Sequence, residues 1–263
     1  MTTRPLNPSK KHRMPRGLWL PLVLVVAIEI WFALSHVQST TLAPPSEIFP
    51  TLVSLLFKGD LLQATGQTIA ATAVGLAVGG FIGLVLGTIL GLSRTADRLI
   101  EVTLEVSRPV PPVALIPIAL MVFGFGYRLE GSIVAFGAIW PVLILTRDAI
   151  ASIERQLMEY AALLGLGFWD KVTRIILPAI LPQLFVAVRL SAGISLILAV
   201  TVEITINPIG LGSGIMTASM AMNPARMLAY LVWIGVVGVA LNTALLALQR
   251  RCFSHGSSER STA

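Results

Sequence analysis

From Leu62 to Leu92 the chain runs without one charged side chain. A soluble core has little use for an apolar stretch of that length, whereas about 20 such residues cross the hydrocarbon core of a bilayer. Six long apolar segments can be laid out, at roughly 17–36, 62–92, 100–125, 131–146, 182–204 and 227–248. Charged residues make up 12% of the chain, against about 25% in a soluble domain. The expected class is an all-α integral membrane protein with about six transmembrane helices. The segment at 62–92 is longer than a bilayer requires and is expected to tilt or to project into water.

Lys and Arg orient the spans. With the N-terminus in the cytoplasm, 14 of the 19 basic residues fall in inside segments. Three (Lys58, Arg128, Arg226) fall outside, and Arg108 and Arg189 lie within helices. Enrichment of basic residues on the cytoplasmic side is the rule for membrane proteins, so the net charge of +6 reads as topology and not as nucleic-acid binding. Both termini and the connection at 147–182 are then cytoplasmic. The expected organisation is a basic tail at 1–16, a first helix at 17–36, an outer connection with a short helix at 37–61, a core at 62–249 and a tail at 250–263. The basic start, the apolar run and Ala33 to Ser35 also fit a signal peptide. An uncleaved helix is the preferred reading, because its removal would leave an odd number of spans.

Little in the chain suggests catalysis. Cys252 is the single cysteine, and His12, His36 and His255 lie in tails or at a helix end, so no metal-binding spacing exists. Ser213 between Gly212 and Gly214 resembles a nucleophile site superficially, but no histidine within a span can serve as its base. No phosphate-binding G-x-x-x-x-G-K-[ST] loop is present. Neither a catalytic nor a metal site is expected.

Three features are more informative. "GLAVGGFIGLVLGTILG" sets Gly75, Gly79, Gly83, Gly87 and Gly91 on one helix stripe. Such a stripe lets another backbone approach closely, either within the chain or in a second copy. "SRPVPPVALIPIALMVFGFG" places Pro109, Pro111, Pro112 and Pro117 after Arg108. Each proline removes a backbone donor, and the freed carbonyls need protein or water around them. This segment therefore lines a path or merely kinks at its cytoplasmic end. Glu203 lies near the outer end of the fifth span, where an intramembrane carboxylate either shapes a gate or holds a neighbouring helix. Glu29, in the first span, has no partner that the sequence identifies.

The third feature is "EYAALLGLGFWDKVTRIILP", Glu159 to Pro178, a charged segment in an apolar chain. It reads as two short helices about a glycine elbow, with Gly165 as a C-cap and Pro178 and Pro182 closing the second helix. Phe168, Val172 and Ile175 share one face of that helix at helical spacing. The segment is either a knob for a soluble partner or a connector lying on the membrane surface.

This segment resembles the EAA loop of permease subunits of binding-protein-dependent ABC importers. Glu159, Tyr160 and Ala161 stand for Glu-Ala-Ala, Gly165 for the loop glycine, and Leu177 with Pro178 for its end; Tyr160 departs from the usual alanine. "RPVPPVALIPIALMVFGFG", "SEIFPTLVSLL" and "VEITINPIGLGSGI" are similar to stretches of the nitrate, sulfonate and taurine branch, the last placing Glu203 on a recurring glutamate. The resemblance runs from about Pro45 to Arg251. It implies a type I importer transmembrane domain in a bacterial cytoplasmic membrane. It implies as partners an ATP-binding cassette ATPase carrying ATP and Mg, a periplasmic or lipid-anchored binding protein, and a second permease copy. It implies that Glu159 to Pro178 couples to the ATPase, and that Arg108, Pro111, Pro112, Pro117 and Glu203 belong to the path or its gate. No cofactor is expected on the chain itself. The implied substrate is a small solute such as nitrate, a sulfonate, taurine, another organic acid or a pyrimidine vitamin precursor. The alternatives are a stand-alone secondary transporter, for which no internal repeat stands out, and an intramembrane enzyme.

Overall fold

The computed structural model describes residues 42–253, together with 27 and 29–31. The tails at 1–16 and 254–263 and most of the expected first span lie outside the described residues. Every element among the described residues is helical.

Helix α1, Pro45–Lys58, lies where the short outer helix was expected. Its N-cap, Pro44, offers no side-chain cap. Glu29 takes that place, its Oε2 accepting the Ser46 amide at 3.3 Å. The partner the sequence left unnamed is thus a helix N-terminus, where a carboxylate is favoured. Gly59 (φ 83°) turns the chain into α2, Asp60–Leu92. Its 33 residues extend about 50 Å at 1.5 Å per residue, well beyond a bilayer core of about 30 Å.

The glycine stripe of α2 lies against α5, Tyr127–Ala151. A Cβ at Gly75 would come within 2.5 Å of the Val134 side chain, and one at Gly83 or Gly87 within 2.6 Å of the Ile139 or Leu143 carbonyl. At Gly79 it would run into the Ala135 carbonyl. Where no side chain separates two helices, dispersion contacts between their backbones accumulate along the whole seam. The stripe is therefore spent within the chain.

The third expected span is broken. Helix α3, Arg94–Ser107, starts at Ser93, whose side chain accepts the Ala96 amide at 3.2 Å. It ends before the proline cluster. A 3-10 turn at Pro112–Leu115 leads into α4, Ile116–Phe123, and the two halves are bent by 81°. Pro117 sits in the first turn of α4, where its missing amide has no partner to lose. Ile116 and Ala119 of α4 pack on Leu129 and Ile133 of α5.

After α5 come α6, Arg155–Leu163, and α7, Phe168–Lys171. A π-helical turn at Val172–Ile176 runs into α8, Leu177–Thr205. Pro178 and Pro182 do not close a helix, as the sequence suggested. Pro178 occupies the first turn of α8 and Pro182 lies inside it. Val172 and Ile176, with Ile180, pack on Ala149 and Ile150 of α5. Of the expected face, Val172 packs here, but its buried companion is Ile176 and not Ile175, because a π turn carries more than 3.6 residues.

The glycine-rich stretch after the fifth span is helical. It folds as α9, Gly210–Met220, and α10, Pro224–Phe253, follows. Leu55, Leu61, Leu211 and Tyr230 join α1, α2, α9 and α10 in one apolar cluster. Four described helices are long and apolar enough to cross a membrane, or five if α3 and α4 form one broken span. The expected first span, outside the described residues, would be the sixth.

Candidate functional site

The α6–α7 segment is built on a backbone that only certain residues adopt. At its elbow the Leu166 amide reaches back to the Ala161 carbonyl (3.1 Å) and the Leu164 amide to Tyr160 (3.0 Å). These bonds close a Schellman-type cap, and Gly165 takes the left-handed conformation the cap requires, with φ 65°. A Cβ there would meet nothing within 4 Å, so the demand is conformational and not steric.

Around this elbow the surface is apolar. Leu163 is 82% exposed, Leu164 76% and Tyr160 62%. Ala161 is buried, and Glu159 is exposed. Asp170 and Arg174 pair at 3.2 Å across one turn of the second helix. The stem beneath is fixed by the cluster of Ala149, Ile150, Ile176 and Ile180. An apolar knob on a packed stem suits a groove on a partner.

The broken span presents a different surface. Arg108, Pro111 and Pro117 are exposed, and Pro112 is partly so. Ile118, Met121 and Val122 of α4 point away from the face that packs on α5. The inner half, α3, buries no residue among its fourteen. It is tied to α5 by Arg147, which meets Asp97 and, at 4.0 Å, Glu101.

At the end of the bundle away from the knob sits a buried polar cluster. Glu203 of α8 accepts the Thr68 hydroxyl of α2 (2.7 Å) and the Gly212 amide of α9 (2.7 Å). Thr68 in turn accepts the Leu211 amide at 2.9 Å. Asn207 donates to Glu130 of α5 (2.9 Å), and its carbonyl oxygen accepts the Gly126 amide (2.9 Å) at the end of the broken span. Gln67 takes the Gly210 amide at 2.9 Å. A Cβ at Gly210 would strike the Glu203 carboxylate, so the loop closes on that group only as glycine.

Residues 79–253 match the family model described as binding-protein-dependent transport system inner membrane component. The chain belongs to that family. Across 242 residues the permease is 29% identical to a putative aliphatic sulfonates transport permease protein, SsuC, of Bacillus subtilis, covering 92% of this chain and 88% of the relative. It is 27% identical over 261 residues to the bicarbonate transport system permease protein CmpB of Synechococcus elongatus, covering 94% of each. Among solved structures, a chain of the inward-facing MetNI methionine ABC transporter superposes with a TM-score of 0.65 at 22% identity, over 73% of this chain and 95% of that one. A chain of the bacterial alginate ABC transporter gives 0.62 at 16% identity, over 90% and 96%. The fold is that of a type I importer transmembrane domain, and the protein is a multi-pass membrane permease.

In the permease, Glu159, Tyr160, Ala161 and Gly165 come together in one knob, and Leu177 and Pro178, both exposed, lie where the second helix enters α8. Tyr160 needs no internal room, since it points outward. Arg108, Pro111, Pro112 and Pro117 lie together at the break. Glu203 does not share that exposed surface: it is 2% exposed, and its bonds go to α2 and α9. Sequence reasoning missed Glu130, Asn207 and Thr68. For Glu130 a signal existed: the fourth span was expected to start at Gly131, four residues after the helix begins at Tyr127, which left this carboxylate just outside the expected span.

Proposed function

We propose that this permease forms the membrane path of an ATP-driven importer whose ATPase is a separate subunit that binds the α6–α7 knob. The exposed apolar elbow of Leu163, Leu164 and Tyr160 around Gly165 carries the reading. Such a surface on a rigid stem transmits a partner's motion, and a flexible loop would not. ATP and Mg belong to that partner. Two permease copies face each other across the path, with the broken span and α8 lining it. Both termini and the knob lie in the cytoplasm, as the basic residues indicate. An external binding protein delivers the substrate. The relatives named for aliphatic sulfonates and bicarbonate support a small anion, and Arg108 at the break supplies a cation beside the path.

The test is reconstitution in liposomes with an ATP-binding cassette ATPase and a secreted binding protein from the same organism. Uptake of labelled sulfonate or bicarbonate is expected only with all three components and ATP. Uptake by the permease alone, driven by an ion gradient, would overturn the reading in favour of a secondary transporter.

A further inference from the structure

Glu130 and Glu203 are both fully enclosed, at 0% and 2% exposure, on the facing helices α5 and α8. Asn207, which donates to Glu130, lies four residues beyond Glu203 in the chain, so both carboxyl groups belong to one enclosed polar cluster at the same level of the bundle. The four carboxyl oxygens are not used alike. Glu203 Oε1 accepts from Thr68 and Oε2 from Gly212. Glu130 Oε2 accepts from Asn207, while Glu130 Oε1 is buried with no protein donor.

Among the described residues no cation balances the pair. Toward it α2 presents Gln67 and Thr68, with Asp60 at its start held by Arg226. The 3-10 turn and α4 present only apolar side chains, Leu115, Ile116, Ala119 and Leu120. On α5 the neighbouring Arg128 is exposed, and Tyr127 is exposed as well. Further along α8, Arg189 is bound to Asn242. Helix α9 has no titratable residue. On α10, Arg226 lies over the Tyr230 ring, and Tyr230 itself packs in the apolar cluster of Leu61 and Leu211. Among the described residues neither glutamate forms an ion pair.

We propose that Glu130 and Glu203 form a proton-binding site, holding one proton on Glu130 Oε1 and donating it to Glu203, and that this proton closes a clasp at the end of the bundle away from the knob. Two adjacent carboxylates in a dry site repel strongly, and one shared proton turns that repulsion into a short charge-assisted hydrogen bond. The proton belongs on Glu130, since Glu203 already accepts two donors that suit an anion. A metal ion fits poorly. A hard cation asks for about six oxygens, three of the four carboxyl oxygens are occupied by protein donors, and no described group of three or more acidic, His or Cys side chains could share an ion. When the proton leaves for water, two negative charges remain between α5 and α8. The contact opens, and with it the Asn207 bond that fixes Gly126 at the end of the broken span. The site thus makes this end of the path responsive to protons, whichever substrate is carried.

The test uses the full-length permease in detergent micelles. Infrared spectra are expected to show the carbonyl band of a buried protonated carboxylic acid, which is lost on titration to alkaline pH. The folded protein holds a proton the unfolded chain lacks, so stability is full at low pH and falls as pH rises through the loss of that proton. The melting midpoint should drop by roughly 3–5 °C over that rise. Glu130→Gln supplies a permanent amide donor to Glu203 and is expected to lose both the band and the pH dependence while staying folded. Glu203→Gln confronts the Thr68 or Gly212 donor with an amide and is expected to be less stable at every pH. A wild-type protein with neither band nor pH dependence would overturn the proposal. So would both features persisting in Glu130→Gln, or a midpoint that follows sodium or potassium and not protons. Should Glu130→Gln fail to fold, the presence or absence of the titrating band in the wild type decides the matter.

Discussion

Arg147 grips Asp97 with one edge of its guanidinium, Nε 2.6 Å from one carboxylate oxygen and Nη2 2.7 Å from the other. Only the second contact has hydrogen-bond geometry; the first is a close ion pair. The pair joins α3 to α5, the helix that leads to the α6–α7 knob. A displacement of the knob therefore has two routes to α3, the chain itself through α5 and α4 and this bond across the helices.

The first prediction concerns that bond. Both side chains are about three-quarters shielded, so the pair should contribute about 1 kcal/mol, near the upper end for partly exposed ion pairs. Asp97→Asn and Arg147→Gln should each cost about that much, and the double variant no more than the worse single one. Melting midpoints of the four proteins test this. Simple additivity would show that the two side chains do not depend on each other. The same variants are expected to reduce binding-protein-stimulated ATP hydrolysis in the assembled importer.

The second prediction separates neighbouring glycines on α2. Gly79→Ala drives a methyl into the Ala135 carbonyl and should cost about 1–3 kcal/mol, the usual range for overpacking. Gly80→Ala meets nothing within 4 Å. It should be neutral or stabilising by about 0.4–1 kcal/mol, because it restricts the unfolded chain. Thermal unfolding of the two purified variants checks the contrast, and equal losses would count against the seam.

The third prediction concerns the elbow. Gly165→Val forces a β-branched residue to a φ of 65°, where valine is strongly disfavoured. The variant is expected to insert and fold in the membrane but to lose co-purification with the ATPase and stimulated hydrolysis. Gly165→Asn tolerates the left-handed region and should retain most of both. Glu159→Ala should weaken coupling less completely than the valine variant. Normal transport in Gly165→Val would remove the elbow from the mechanism.

The fourth prediction is topological. In a Cys252→Ser background, cysteines at Ser46 and Ala221 should react with an impermeant reagent applied to sealed cells, and one at Ser152 should not. Ala221 is the better outer probe because it is exposed, whereas the Ser213 hydroxyl is turned onto the Gly210 carbonyl. Labelling of Ser152 alone would invert the orientation.

What could be read from the sequence was local. A charge-free run announces a span, a four-residue glycine repeat announces one helix face, and a glycine after a short helix announces a cap, because each lies within a few turns of backbone. The prolines were read too strongly. Pro182 looked like a stop, yet α8 runs through it, since a membrane helix can satisfy a freed carbonyl through its neighbours. The apolar face of the second coupling helix was misplaced because a π turn leaves no mark in hydrophobic spacing. The buried clasp was hidden for another reason. Thr68, Glu130 and Glu203 come from three separate helices and Asn207 from the connection after the last of them, and only the packing of α2, α5 and α8 makes neighbours of them.

The glycine seam also restricts how the permease can move. Two helices in contact backbone to backbone have no layer of side chains to slide on or repack, so α2 and α5 travel as a single stiff plank. The compliance a transport cycle needs must then lie in the joints at its margins: Ser93 where α3 leaves α2, the proline break before α4, and the turn after Ala151 that leads to the knob. Stiffening the joint at Ser93 or the one after Ala151 would slow the machine without touching any residue that lines the path.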